Sequence, residues 1–339
     1  MTTPASHSAI IDAISASFAD ASRWRALETA FWLLPVAAFL VFPRHFLLLN
    51  EIIILGLYAL SLDLILGYAG IVSLGHAAFF GFGAYGAALF AKHIQADPLL
   101  GLAVAIAGAG ALGLVTSVLV LRGSDLTRLM VTLGIALILF EIANRLQWLT
   151  GGADGLQGVV MQPLLGAFEF DLGGRTACCY SLVVLFAFFL LARRAVHSPF
   201  GLSLQALRDN RLRASAVGIP VNFRLTAIYT FAAAMAGAAG ALLAQTTGFA
   251  SLDVLAFHRS AEVLLVLVIG GAGYLYGGLI GAALFALMHD WISALTPQYW
   301  QFWIGLILVL IALIGRGRLL RPWTWLAAAK RARRAAGTA

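Results

Sequence analysis

Acidic side chains set in oily sequence are the first places to look for chemistry. Asp63, Glu141, Glu262 and Asp290 fall within or at the margins of apolar runs, and Arg259 stands three residues before Glu262. A charge at the centre of a membrane helix costs about 2.5–3.5 kcal/mol on insertion scales, so such a residue faces a cavity or a partner. Ion relay, gating and plain ion pairing are the chemistries open to these acids. Arg259 and Glu262 are spaced to meet on one helical face, which predicts a structural pair. Asp63 and His76 frame a polar, glycine-studded stretch, GYAGIVSLGHAAF (67–79), set between two strongly apolar runs. For both residues, satisfied interior hydrogen bonding and the lining of a polar path are open readings. His289, beside Asp290 near the end of a run, reads as interfacial.

Several other chemistries have no residues to carry them. The sequence holds no G-x-x-x-x-G-K-[ST], so the chain does not cradle a nucleotide by itself, and no H-E-x-x-H. The run GGAGYLYGG (270–278) resembles a protease nucleophile turn, but Ala272 occupies the position that needs a serine. Cys178 and Cys179 are adjacent, a spacing that makes neither a metal site nor a disulfide framework, and both read as apolar filler. No catalytic residue and no metal ligand is assigned.

The elements that position these residues must be membrane helices. Of 339 residues, 61% are hydrophobic and only 11% charged, against roughly 25% charged in a soluble domain; the mean hydropathy is +0.93. The fold class is therefore all-α and polytopic. A spanning helix needs about 20 mainly apolar residues. The candidates are 29–42 (short, with Pro35 inside and Pro43 beyond), 46–66, 73–91, 98–121, 126–145, 177–193, 224–246 and 299–316, with a 35-residue run at 260–294 too long for one helix.

Charge placement orients them. Arg193, Arg194, Arg208, Arg211, Arg213 and Arg224 surround a single acid, Asp209, and a second cluster runs from Arg316 to Arg334. Lys and Arg accumulate in cytoplasmic loops, so both clusters are placed inside, and an even number of spans must separate them. The run 260–294 then contributes two spans, or a re-entrant excursion, broken near its glycines. This reading gives about ten spans, both termini cytoplasmic, an N-terminal segment at 1–28, a transmembrane domain at 29–316, an external loop at 146–176 and a basic tail at 317–339. The arginine clusters flank spans rather than forming a basic face, so no nucleic-acid partner is expected.

GYAGIVSLGHAAFFGFGAYGAALF (67–90) and GGAGYLYGGLIGAALFAL (270–287) are both glycine interruptions followed by a small-residue helix. Paired, glycine-broken segments at corresponding places suggest an internal repeat, and in transporters they point to the substrate path. Close helix packing through small residues is the alternative. The path candidates are Asp63, Gly67, Gly70, Ser73, Gly75 and His76 in the first half, and Gly270, Gly271 and Gly273 in the second.

Residues 199–216 within the loop 195–223 have helical spacing, with Leu202, Leu204, Leu207 and Ala214 apolar and Gly218 as the stop. A short amphipathic helix here is either a docking element for a partner or a helix resting on membrane lipid.

At this loop the chain resembles the LivM-type permeases of branched-chain amino acid ABC importers. Five blocks carry the resemblance, in family order: 67–89, TGGADGLQG (150–158), SPFGLSLQALRDNRLRASAVGIPV (198–221), MAGAAGALLA (235–244) and VLVIGGAGYLYGGLIGAAL (266–284). It implies a type II importer permease fold in the bacterial inner membrane. It also implies a second, homologous LivH-type permease, two cytoplasmic ATPase subunits that bind the ATP, and a periplasmic binding protein. The family's coupling motif maps to Ala206 through Val217, which makes Ala206, Arg208, Asn210, Arg211, Arg213, Ala216 and Gly218 the ATPase-coupling residues. The chain departs from the family pattern at Asp63, where asparagine is usual, and in a coupling loop that is unusually basic. Leucine, isoleucine and valine suit a path of small residues; related permeases carry urea, short amides or aromatic acids. An ion-coupled secondary transporter relaying through the four acids, and an assembly subunit, are the readings from other classes.

Overall fold

The computed structural model describes residues 26–171 and 173–314. Residues 1–25 of the predicted N-terminal segment and all of the predicted basic tail lie outside them. The chain divides into two compact units, residues 1–283 and 284–339. Regular structure among the described residues is helical, apart from isolated bridges pairing Leu156 with Ala250 and Leu164 with Phe168.

The helices are α1 (Ala26–Val41), α2 (Phe46–Asp63, continued by a π-helical turn over Leu64–Tyr68), α3 (Ala77–His93), α4 (Pro98–Val120), α5 (Asp125–Arg145), a single turn α6 (Gln147–Thr150), α7 (Arg175–Val196), α8 (Pro199–Asp209), α9 (Arg211–Ala216), α10 (Val221–Thr247), α11 (Phe257–Gly270), α12 (Leu275–Leu295) and α13 (Trp300–Ile314). Local chemistry sets several starts. The Asp97 carboxylate accepts from the backbone N–H groups of Leu99 and Leu100 at 2.8 and 3.1 Å, with Pro98 in the first turn, where a missing N–H costs nothing. Ser124 caps α5 in the same manner.

Every apolar run found in the sequence contains helix, but length sorts them. Six helices among the described residues are long and apolar enough to cross a membrane: α2 with its π-turn, α4, α5, α7, α10 and α12. The others are shorter. The run 260–294 divides at Gly271–Tyr274 into α11 and α12. At 14 residues and a rise of 1.5 Å per residue, α11 is about 21 Å long, less than the roughly 30 Å of a hydrocarbon core.

The first unit is built around α10, whose run of alanines and glycines lets neighbouring backbones come close. A Cβ on Gly83 of α3 would overlap the Gly237 carbonyl of α10, and one on Gly237 would strike Ala109 of α4. Gly240 lies against the Phe80 carbonyl in the same way. Small residues at helix contacts are the means by which membrane helices gain van der Waals contact when no hydrophobic force drives them together. Side-chain hydrogen bonds reinforce the block. Gln245 Nε2 donates to the Pro98 carbonyl at 2.8 Å, the Tyr180 hydroxyl donates to Gln245 Oε1 at 3.0 Å, and Asn50 Nδ2 donates to Thr246 Oγ1 at 3.1 Å. These bonds tie α10 to α4, α7 and α2.

In the second unit, within the lower part of α12, the Phe285 and His289 rings stack one turn apart at 6.5 Å, and Asp290 is exposed.

The predicted helix 199–216 is two helices. Asn210 adopts an extended conformation between α8 and α9, and its side-chain oxygen accepts from the Arg213 N–H at 2.9 Å. An asparagine that bonds its own backbone competes with helix continuation and caps a new start. Leu204, Leu207 and Ala214 are buried as the spacing predicts, whereas Leu202 faces outward.

Candidate functional site

Asp63 ends the regular part of α2 and is fully buried. Its Oδ1 accepts from the backbone N–H of Gly273 at 2.7 Å, across 210 residues of sequence. Beyond Asp63 the helix widens into the π-turn, a form that concentrates at functional positions. Gly67, inside that turn, lies directly against Gly273: a Cβ at position 67 would overlap Asp63 Oδ1 and the Gly273 backbone. The Gly67 carbonyl accepts a hydrogen bond from Arg208 Nη1 of α8. Gly70 has φ +68°, and a side chain there would strike the aliphatic stem of the same Arg208. Gly273 has φ +82°. Both conformations belong to the left-handed region that glycine enters without steric cost.

Three segments that the sequence treated separately thus meet at one place: the first glycine interruption, the second, and the basic loop. Asp63, Gly67, Gly70, Gly273 and Arg208 form this junction. Gly270 and Gly271 stand beside it in the tie between α11 and α12. A Cβ at 270 would overlap the Gly277 carbonyl, and one at 281 the Val266 carbonyl, so the two helices run backbone against backbone.

Ser73, Gly75 and His76 form a second group, held on three sides. The Leu74 N–H donates to Thr132 Oγ1 of α5 at 3.3 Å, Gly75 lies against the Thr132 carbonyl, and the Ala77 N–H donates to Ser260 Oγ of α11 at 2.9 Å. The fully buried His76 ring stacks on Tyr58 with centroids 5.5 Å apart. Its Nε2 lies 2.8 Å from Ser61 Oγ, and the Ser61 hydroxyl donates to the Tyr58 carbonyl at 2.6 Å. A hydroxyl has one proton to give. Since Ser61 spends it on Tyr58, it accepts from His76, which assigns the ring proton to Nε2 and leaves Nδ1 as a buried acceptor with no hydrogen-bond partner. Ser73 is also buried, its hydroxyl likewise unmatched. Non-helical backbone at membrane depth is tolerated where protein buries it or where it lines a watery cavity. In this chain the stretch 67–79 is largely buried by protein.

The remaining acids go elsewhere. Arg259 Nη1 binds Glu262 at 3.0 Å, as the spacing predicts, and its other guanidinium nitrogens reach Asp253. Glu141 pairs with Arg145 at 2.6 Å on an exposed helix face. No group of three or more metal-ligating side chains occurs among the described residues.

On the basic loop, Ala206, Asn210, Arg213, Ala216 and Gly218 are exposed, and Arg211 is half-buried. Gly218, with φ +93°, closes α9 as expected of a glycine stop. Leu212 and Val217 are exposed beside them, at 83% and 78%, giving the segment apolar knobs among its arginines. Sequence reasoning missed Tyr58, Ser61, Thr132 and Ser260. The signal available was weak: hydroxyl residues within apolar runs, with no partner identifiable from spacing.

A family model described as the branched-chain amino acid transport system / permease component matches residues 45–312. The high-affinity branched-chain amino acid transport system permease proteins LivM of Salmonella typhimurium (strain LT2) and Escherichia coli (strain K12) are each 30% identical over 300 residues. The alignments cover 80% of this chain and 68% of each relative. No solved structure matches the chain. A match running from α2 into α13, through both glycine interruptions and the basic loop that joins them, bears out the resemblance found in the sequence, and the chain belongs to the family of branched-chain amino acid transport permease components.

Proposed function

We propose that this chain is the transmembrane permease subunit of an ABC importer that carries leucine, isoleucine and valine across the bacterial inner membrane. In this reading it makes about ten spans with both termini in the cytoplasm, some of them by short or tilted helices. It pairs with a LivH-type permease, and the shared path runs past the glycine-broken segments at 67–76 and 270–273. A periplasmic binding protein delivers the solute from outside. Two ATPase subunits bind the ATP and dock on α8 and α9 through Ala206, Asn210, Arg211, Arg213, Ala216 and Gly218. The chain supplies no nucleotide site of its own, so energy enters through that surface.

One observation carries the proposal: the family match includes the α8–α9 segment, and that segment leaves an arginine-rimmed apolar surface exposed. An exposed Leu212 and Val217 flanked by Arg211 and Arg213 call for an apolar groove with an acidic rim. The acids do not favour an ion-coupled carrier, because Glu141 and Glu262 are each held by an arginine.

Reconstitution tests it. The chain is co-expressed with its second permease and ATPases, placed in liposomes, and supplied with binding protein, ATP and labelled leucine. ATP-dependent uptake is expected, with valine and isoleucine competing and urea, short amides and aromatic acids failing to compete. Uptake by the isolated chain under a proton or sodium gradient overturns the proposal, and competition by urea alone overturns its substrate.

A further inference from the structure

Arg208 differs from the other arginines of its loop. Its side chain is 42% exposed and lies 3.5 Å from Asp209, yet its Nη1 reaches back 141 residues in sequence to the Gly67 carbonyl. Its stem also covers Gly70, and its Nη1 is the nearest atom to a side chain imagined on Gly273, at 3.4 Å. The contact falls where regular helix ends on both sides. The π-turn at Leu64–Tyr68 ends the helix begun by α2, and the Gly271–Tyr274 turn interrupts the path from α11 to α12. Those two interruptions are stapled to each other by the Asp63–Gly273 hydrogen bond and by the bare contact of Gly67 with Gly273. A displacement of α8 therefore acts on a carbonyl in the π-turn, and through Gly67 and Asp63 on the start of α12, without passing along any intact helix.

We propose that Arg208 is a positioning residue that links the α8–α9 segment to both helix interruptions at once, so that motion of the segment opens or closes the Gly67–Gly273 contact. Resting on the importer reading above, this assigns Arg208 to transmission rather than to the docking surface. Charge and geometry both support it. A guanidinium bonded to a backbone carbonyl is a charge-assisted bond with a fixed fork geometry, and a buried carboxylate holds the facing turn. Packed interfaces of this kind hold discrete arrangements rather than deforming continuously.

The experiment uses the full complex in liposomes and reads leucine transported per ATP hydrolysed, with ATPase co-purification measured alongside. Arg208→Gln is expected to retain ATPase binding and hydrolysis while leucine per ATP falls about tenfold, inside the roughly 5–150-fold range typical of coupled sites. Arg208→Lys, which keeps a donor without the fork, is expected to recover part of the loss. Asp63→Asn, which keeps an oxygen for the Gly273 N–H, is expected to stay within about twofold of the wild type, while Asp63→Ala falls with Arg208→Gln and the double variant is no worse than either, as for residues acting in series. Wild-type leucine per ATP in Arg208→Gln, or losses that multiply in the double variant, overturn the proposal. Loss of ATPase binding in Arg208→Gln and Arg208→Lys alike overturns it in favour of a docking role. Failure of the importer reading shows separately, as a wild-type complex that binds no ATPase or moves no leucine, and it removes this inference with it.

Discussion

Ser61 accepts a hydrogen bond from His76 Nε2 while its own hydroxyl donates to the Tyr58 carbonyl, which orients a fully buried imidazole. Ser61→Ala removes the acceptor and leaves the His76 N–H without its partner in the interior. A buried group stripped of its hydrogen bond costs about 1–3 kcal/mol. The purified chain in detergent should melt at a correspondingly lower temperature, and an unchanged melting temperature would mean the bond contributes nothing.

Contact between α3 and α10 depends on bare backbone. Gly240→Ala would push a methyl group into the Phe80 carbonyl, and overpacking of this kind costs about 1–3 kcal/mol. Gly134→Ala, where nothing lies within 4 Å, should instead hold or raise the melting temperature, since alanine is the better helix former by about 1 kcal/mol. Similar losses for the two variants would refute the packing account.

Asn210 separates α8 from α9 and caps the second. Asn210→Ala should lose about 0.5–2 kcal/mol of local stability, seen as faster hydrogen exchange across 211–216, and it should weaken ATPase co-purification. Asn210→Asp keeps the capping oxygen and should exchange as slowly as the wild type. Equal exchange in both variants would remove the cap from the account.

Glu141 and Arg145 form an exposed pair one turn apart on α5. Glu141→Gln should leave ATP-driven leucine uptake unchanged, because exposed pairs of this kind contribute little. Loss of uptake on this substitution would revive the ion-relay reading, in which Glu141 carries the coupled ion.

Hydropathy located the long apolar helices, because a chain this poor in charge has few other ways to bury its backbone in lipid. The glycine pair was legible as a pair, yet the contact of Gly67 with Gly273 was not: it depends on tertiary packing across some two hundred residues, which no local pattern encodes. The sequence groups Arg208 with its neighbours as one of the coupling residues. Only the packing of α8 against the π-turn brings its guanidinium to the Gly67 carbonyl. Asn210 carried its own signal, a capping residue in the middle of a presumed helix, and the regular spacing of Leu204, Leu207 and Ala214 on either side masked it. Glu262 met Arg259 as expected because a three-residue offset on a helix is a short-range rule.

The interlock of Gly83, Gly237 and Ala109 has a consequence for any working cycle. Three backbones seated that tightly share one register, and sliding any of them by a fraction of a turn would drive a carbonyl into a neighbouring chain. α3, α4 and α10 are therefore keyed to one another as a single block. On the proposed reading, the reshaping that moves a solute would fall outside that block, at joints such as the one Arg208 makes with the π-turn.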